Sequence, residues 1–254
     1  HGPHAASIED MWQVAIKIAR RTGGDPGRTG LFWADTPPKP AQPERLIVLE
    51  TAGWAELDGA SRSAFEAVCR QLADAGIGLL RRGIHAFVEE LEHAIADAAD
   101  ICGSITSWEN RWVLRNLIDQ HPDGVSERTK ATVARAEAMT PDDYRLALLK
   151  REQAQLTHRS LAGAADAVIT LSCPGPAPLW QGDVPGEPLA SHPTGNAIFN
   201  YPSSMLFAPV VSVPLMSVGG LPVGVQIMGQ QHADARVTAL ARWMGDAIAP
   251  AIEG

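Results

Sequence analysis

Two apolar runs joined through a pair of glycines place the tightest constraint on the fold of this chain. Residues 210–215 (VVSVPL) and 223–228 (VGVQIM) each have the length and the Val/Ile content of a strand. Gly219 and Gly220 between them read as turn glycines, and a polar, Asn-containing turn over residues 195–204 precedes the pair. Such strands belong in a sheet, and an open, apolar sheet edge is a liability unless something covers it.

Residues 46–49 and 77–80 are short apolar strands with a helix over 61–75 between them, ended by Gly76. That is the layout of a βαβ unit with parallel strands buried on both faces and a right-handed crossover. Residues 167–171 (AVITL) are a further buried-type strand. Ser7-Ile8-Glu9-Asp10 is a capping box opening a helix that carries Ile8, Met11, Trp12, Ala15 and Ile18 on one face and stops at Gly23 and Gly24. Residues 34–44 (ADTPPKPAQPE) form a proline-rich connector, and residues 86–165 are mainly helical, divided by turns at His121–Gly124 and Thr140-Pro141. Residues 172–204 make a long loop containing seven prolines, a length that in a compact domain marks a functional or disordered segment. A last amphipathic helix covers 234–248. The class is α/β, a mixed β-sheet flanked by helices. Its strands are few and far apart in sequence, so they are expected to pair with a missing N-terminal half or with another chain.

A net charge of −8 with no Lys/Arg run gives no footprint for nucleic acid, and no apolar run approaches the roughly 20 residues of a membrane helix. Three widely spaced cysteines, Cys69, Cys102 and Cys173, fit reduced thiols and a cytoplasmic setting better than a disulfide framework. The chain opens on His1 with a helix starting almost at once, which reads as a fragment, a processed chain or a piece of a longer protein; a lost short leader is the plainer alternative.

Three segments, GPHAASIED at 2–10, ADAVITLSCPGPAP at 165–178 and TGNAIFNYPSSMLFAPVVSVPLMSVGGLPVGVQIMG at 194–229, resemble in order and spacing the C-terminal half of the amidase signature family. The resemblance implies a mixed sheet between helices and hydrolysis of a carboxylic amide through an acyl-enzyme. It also implies a Ser nucleophile activated by a Lys through a second Ser held in a cis peptide. In the family both the Gly-Ser-rich nucleophile segment and the Lys precede the helix that 2–10 resembles, so within residues 1–254 there is no expected catalytic residue. The whole chain is then the C-terminal portion of one amidase-signature domain. Its partners would be a small-molecule amide substrate and an N-terminal amidase half, in the same or a separate chain, with a homo-oligomer as a further assembly; no metal or organic cofactor is implied.

What the chain can offer is a substrate wall. Loops after the carboxyl ends of parallel strands line ligand crevices in α/β sheets, and by resemblance Ser172, Cys173, Pro174 and Gly175 line the acyl side, with Trp180, Asn196, Phe199 and Asn200 as further substrate-binding candidates. In the tRNA-dependent, glutamine-using members an Asp reads the substrate's amino group; the matching position is Ala197 here, which points to a less polar amide. Phe199 and Phe207 have core packing as their alternative role. Ser203 and Ser204 lack flanking glycines and a nearby Lys, and read as turn or cap residues. A Cys173 nucleophile with His192 or His158 as base is the alternative chemistry; a non-catalytic binding partner is the alternative role. His85, Glu89 and His93 share helical spacing, but one helix spreads them over about 12 Å, too far for one zinc ion; with Glu90 and Glu92 they read as a solvated acidic face.

Overall fold

The computed structural model describes residues 2–24, 30–179, 182 and 195–254. Six strands form one mixed sheet: β1 (Arg45–Val48), β2 (Gly78–Arg81), β3 (Ala167–Leu171), β4 (Val210–Val218), β5 (Leu221–Met228) and β6 (Ala251–Glu253), in the order β2-β1-β3-β5-β4-β6. β1 is parallel to both β2 and β3, and β4 is parallel to β6, whereas β5 runs antiparallel to β3 and β4. These strands pair with one another, so the expectation of partners from outside is narrowed to the two edges of the sheet. The long helical insertion between β2 and β3 conceals this in sequence, because it separates strands that are close in space. Only the two edges, β2 and β6, have a single neighbour each among the described strands.

Helix α1 (Ile8–Thr22) starts where Ser7 Oγ accepts the Asp10 N–H at 3.1 Å. The reciprocal half of the expected box is different: the Asp10 carboxylate accepts the Ser7 hydroxyl at 2.9 Å rather than the Ser7 amide. Trp12 and Ile16 are buried, and Trp12 Nε1–H donates to Ala34 O at 3.0 Å, which binds the proline-rich connector to the helix. Gly23, at φ 74°, ends α1 in the left-handed conformation that glycine adopts without a Cβ penalty.

Helix α2 (Gly59–Asp74) links β1 to β2, its first turn capped by Asp58 Oδ1, which accepts the Ser61 N–H at 2.6 Å. α3 (Ala86–Ala94), α4 (Ala98–Gln120), α5 (Glu127–Ala138) and α6 (Pro141–Ser160) follow, with breaks at the two turn signals and one further break after α3 that no Gly or Pro announces. α7 (Tyr201–Leu206) is a short helix inside the segment read as a polar turn, and α8 (Asp234–Ala247) precedes β6.

Strand alternation sorts the core. Leu46, Val48, Ile169, Leu171, Val213, Val225 and Ile227 face α2 and α8, while Ile47, Leu49, Val168 and Met228 face α3, α4, α6 and α7. All five residues of β3 are therefore buried. Pro214 sits where the β4–β5 register is irregular, between Val213 and Met216, the position in a strand at which a missing N–H is tolerated. No helix among the described residues is long and apolar enough to cross a membrane.

Candidate active-site wall

The carboxyl ends of the parallel strands β1 and β3 open on the same side of the sheet, and the chain leaving β3 there is the segment 172–178. Ser172 continues the ladder, donating its N–H to Gly224 O at 2.8 Å. Its hydroxyl lies 2.9 Å from that of Ser212 on β4. A Cβ on Gly224 would come within 2.7 Å of Ser172 Oγ, so a glycine is what lets the Ser172–Ser212 pair form across β5.

Two side chains fasten the 172–178 segment to the 196–200 turn. Asn200 Nδ2 donates to Ser172 O at 3.0 Å. The buried Gln226 donates from Nε2 both to Leu171 O at 2.6 Å and to Phe199 O at 2.7 Å. Asn196 Oδ1 accepts the Ile198 N–H at 3.0 Å and shapes the start of the turn. Asn196 and Asn200 are exposed, and Ser172 to Gly175 are half-buried. Phe199 is 0% exposed and belongs to the core; Phe207, 42% exposed, lies under the Arg151 guanidinium at 4.8 Å. Of the residues predicted from sequence, the structure brings Ser172, Asn200 and Phe199 together, with Cys173, Pro174 and Gly175 continuing the loop and Asn196 four residues before Asn200. Trp180 and His192 lie outside the described residues.

One part of this region has no counterpart in the sequence reading. Beyond β1 the chain turns sharply at Thr51, φ 60° and ψ 176°, a conformation that costs a side-chain-bearing residue about 1–3 kcal/mol. Glu92 on α3 holds that turn. Its Oε1 accepts the Glu50 N–H at 2.6 Å and its Oε2 the Thr51 N–H at 3.0 Å. Glu92 is 5% exposed, so its reading as part of a solvated acidic face is corrected; Glu89 and Glu90 do face solvent. Burial pushes the Glu92 carboxyl above its ordinary range, and the backbone N–H bonds oppose that shift. Thr51 Oγ1 accepts the Gly53 N–H at 3.1 Å, leading into a 3-10 turn over Ala52–Glu56. A Cβ on Gly53 would lie 2.6 Å from Phe199 Cε2, so this turn packs directly on the ring that backs the 196–200 segment. The signal in sequence was the placement of Glu92 next to Leu91 and between the buried Val88 and Ile95.

Lys17, Lys39 and Lys150 are exposed, Lys130 pairs with Glu127 at 2.7 Å, and Lys150 lies 3.7 Å from Asp97. None has the desolvated setting that keeps a Lys base neutral. Ser203 Oγ donates back to Asn200 O at 2.9 Å within the first turn of α7, a local backbone role. Cys173 donates from Sγ to Gly175 O at 3.1 Å, and burial raises its pKa, away from the thiolate. His158 is buried beside the amino end of β3, with its pKa lowered to about 4 by burial. Cys173 lies beyond the other end of β3, five residues or about 16 Å away at the rise of a strand, so this thiol and this imidazole cannot act as a pair. His85 sits before α3 rather than on it, and Glu89 is taken by Arg82 at 2.5 Å, so the His85–Glu89–His93 set lines an open cleft of about 620 Å³ without converging.

The sequence model described as Amidase matches residues 1–238. A glutamyl-tRNA(Gln) amidotransferase chain of Pseudothermotoga lettingae is 39% identical over 77 residues, and its counterpart in Rubrobacter xylanophilus 34% over 84 residues. These alignments take in 30% and 33% of this chain but only 16% and 17% of those proteins. Among solved structures, the inhibitor-bound form of a vestigial protein complex described as revealing the origins of an s-triazine catabolic enzyme superposes over 98% of this chain, with a TM-score of 0.71 and 18% identity. A fatty acid amide hydrolase superposes over 97%, with a TM-score of 0.70 and 15% identity. The chain spans 54% and 47% of those two solved chains, about half of each. At such identities the likeness speaks to the fold, while the sequence match covers almost all of residues 1–254: the chain belongs to the amidase family.

Proposed function

We propose that this chain forms the sheet and substrate wall of an amidase that hydrolyses a carboxylic amide C–N bond through a Ser acyl-enzyme. The nucleophilic Ser and the Lys base come from an N-terminal half outside residues 1–254, in the same or a separate chain. One observation carries the reading. The family match runs through residues 1–238, yet all four lysines, each among the described residues, are solvated or ion-paired.

In this reading Ser172, Cys173, Pro174 and Gly175 form the acyl side of the pocket, and Trp180, outside the described residues, stays a further substrate-binding candidate. Asn196 and Asn200 present a second wall, tied to the first by the Asn200–Ser172 hydrogen bond, and Phe199 supports it from the core. Ala197 leaves no charge to read an amino group, which suits an uncharged aliphatic or aromatic amide. Three free cysteines fit a reducing, cytoplasmic setting.

The test is turnover and labelling. Residues 1–254 alone are expected to hydrolyse no member of a panel of simple aliphatic and aromatic amides and to take up no fluorophosphonate probe. The native assembly purified through a tag on this chain is expected to do both, with the label on a Ser outside residues 1–254. Robust hydrolysis by residues 1–254 alone refutes the reading, and an unlabelled, inactive native assembly makes this chain a non-catalytic binding protein.

A further inference from the structure

The buried carboxylate of Glu92 has no part in any chemistry derived above, and its surroundings are unusual. It is the one acidic side chain among the buried described residues. It directs its hydrogen bonds to the N–H groups of Glu50 and Thr51, which leave the β1 ladder at the carboxyl end of the strand. A buried charge is tolerated only where its acceptors are filled, so its position is fixed by these amides. What it holds is a non-glycine residue at φ 60°, a conformation that persists only where the surroundings impose it and that collects at ligand sites.

The contacts beyond Thr51 run in one direction. Thr51 Oγ1 fixes the Gly53 amide, Gly53 abuts the Phe199 ring, and Phe199 O is bound by Gln226, which also binds Leu171 O at the start of the 172–178 segment. We infer that Glu92 is a positioning residue for the substrate wall, acting through the strained Thr51 turn on Phe199 and so on the Asn196–Asn200 segment. The inference rests on the reading of that segment as a wall, given under the proposed function. Arg82, which bridges Glu50 and Glu89 on the solvent side of the turn, closes the same arrangement from outside.

The experiment is amide hydrogen exchange on the full chain, comparing wild type, Glu92→Gln, Glu92→Asp and the double variant Glu92→Gln with Thr51→Gly. Gln keeps the shape but replaces one acceptor oxygen with a donor that faces amide N–H groups. Asp keeps the charge but falls one methylene short, and it serves as the probe if Gln prevents folding. Exchange is expected to rise tenfold or more both in residues 50–56 and in residues 196–201, with β4 unchanged. Glycine at 51, free of the Cβ penalty at φ 60° but without the hydroxyl that holds the Gly53 amide, is expected to recover protection at residues 50 and 51 and none at 196–201. In the active native assembly Glu92→Gln is expected to raise KM severalfold while leaving kcat within about twofold. Loosening confined to 50–56, or a rise in exchange that is uniform over the chain, overturns the inference. If the wild-type assembly hydrolyses no amide, the proposed function fails, and the exchange data still decide whether Glu92 controls the 196–201 segment.

Discussion

Replacing Gly53 with Ala tests the contact between the turn after β1 and Phe199, the ring behind the 196–200 segment. Gly53 is buried, and its φ is not in the left-handed region, so alanine has no backbone reason to fail there. The cost comes from packing. The new methyl would lie 2.6 Å from Cε2 of Phe199 and 2.8 Å from Cδ2 and Cζ, nearly an ångström inside normal carbon contact. The ring is fully buried, and its own carbonyl is bound by Gln226 at 2.7 Å, so neither the side chain nor the backbone can retreat freely. Overpacking of this kind costs about 1–3 kcal/mol, and the lower chain entropy of alanine in the unfolded state offsets roughly 0.4–1 kcal/mol of it. The net loss is about 1–2 kcal/mol, or about 2–8 °C in Tm for a chain of this size. Urea unfolding of Gly53→Ala, Phe199→Leu and the double variant measures it. Leucine vacates the ring edge that the methyl strikes, so the double variant should be more stable than the sum of the singles by about 1 kcal/mol. Gly53→Ala at wild-type stability, or a strictly additive double variant, refutes the contact and with it the link between the β1 turn and the 196–200 segment.

Two further outcomes follow from buried titratable groups. His158 has a folded pKa of about 4 against an ordinary 6.5, so below pH 6.5 the unfolded chain binds more protons than the folded one. The stability due to neutral His158 is therefore complete above pH 6.5 and lost as pH falls toward 4, by roughly 2.5 kcal/mol at pH 4.5; urea midpoints of wild type and His158→Leu should diverge over that window and nowhere above it. Cys173 is held protonated by burial, so the native chain should alkylate slowly at this position at pH 8, and Cys173→Ala should leave kcat of the native assembly within about twofold, any change falling on KM; a collapse of kcat in that variant would return the thiol to consideration as nucleophile.

Much of the fold was legible because its signals are local. Apolar runs such as 167–171, the Ser7 cap, and the turns at His121 and Thr140 depend on neighbours within a few residues, and each element falls where those neighbours put it. The misses have a common cause in long-range pairing. β6 is three residues long and is a strand only because Met216–Val218 lies beside it. α7 carries Pro202 in its first turn and is held against α4 and α6, so its six residues show no period of their own. The wall candidates could be located from their place after a strand, but not the ties that hold them, since Gln226 and Asn200 reach partners 55 and 28 residues away.

Glu92 shows the same limit in a sharper form. A run of Glu89, Glu90 and Glu92 on one short helix looks uniform in sequence, and its charge balance favours solvent. The helical period separates them: Val88, Leu91 and Ile95 point to the core, and Glu92 follows Leu91 onto the buried side while Glu89 and Glu90 do not. What makes that burial tolerable is the end of β1, where the Glu50 and Thr51 amides need an acceptor that no strand supplies. A carboxylate short of partners and a strained turn short of acceptors therefore stabilise one another, although each alone would be destabilising. That mutual dependence places a rigid support at the carboxyl end of β1, behind Phe199 and beside the segment leaving β3.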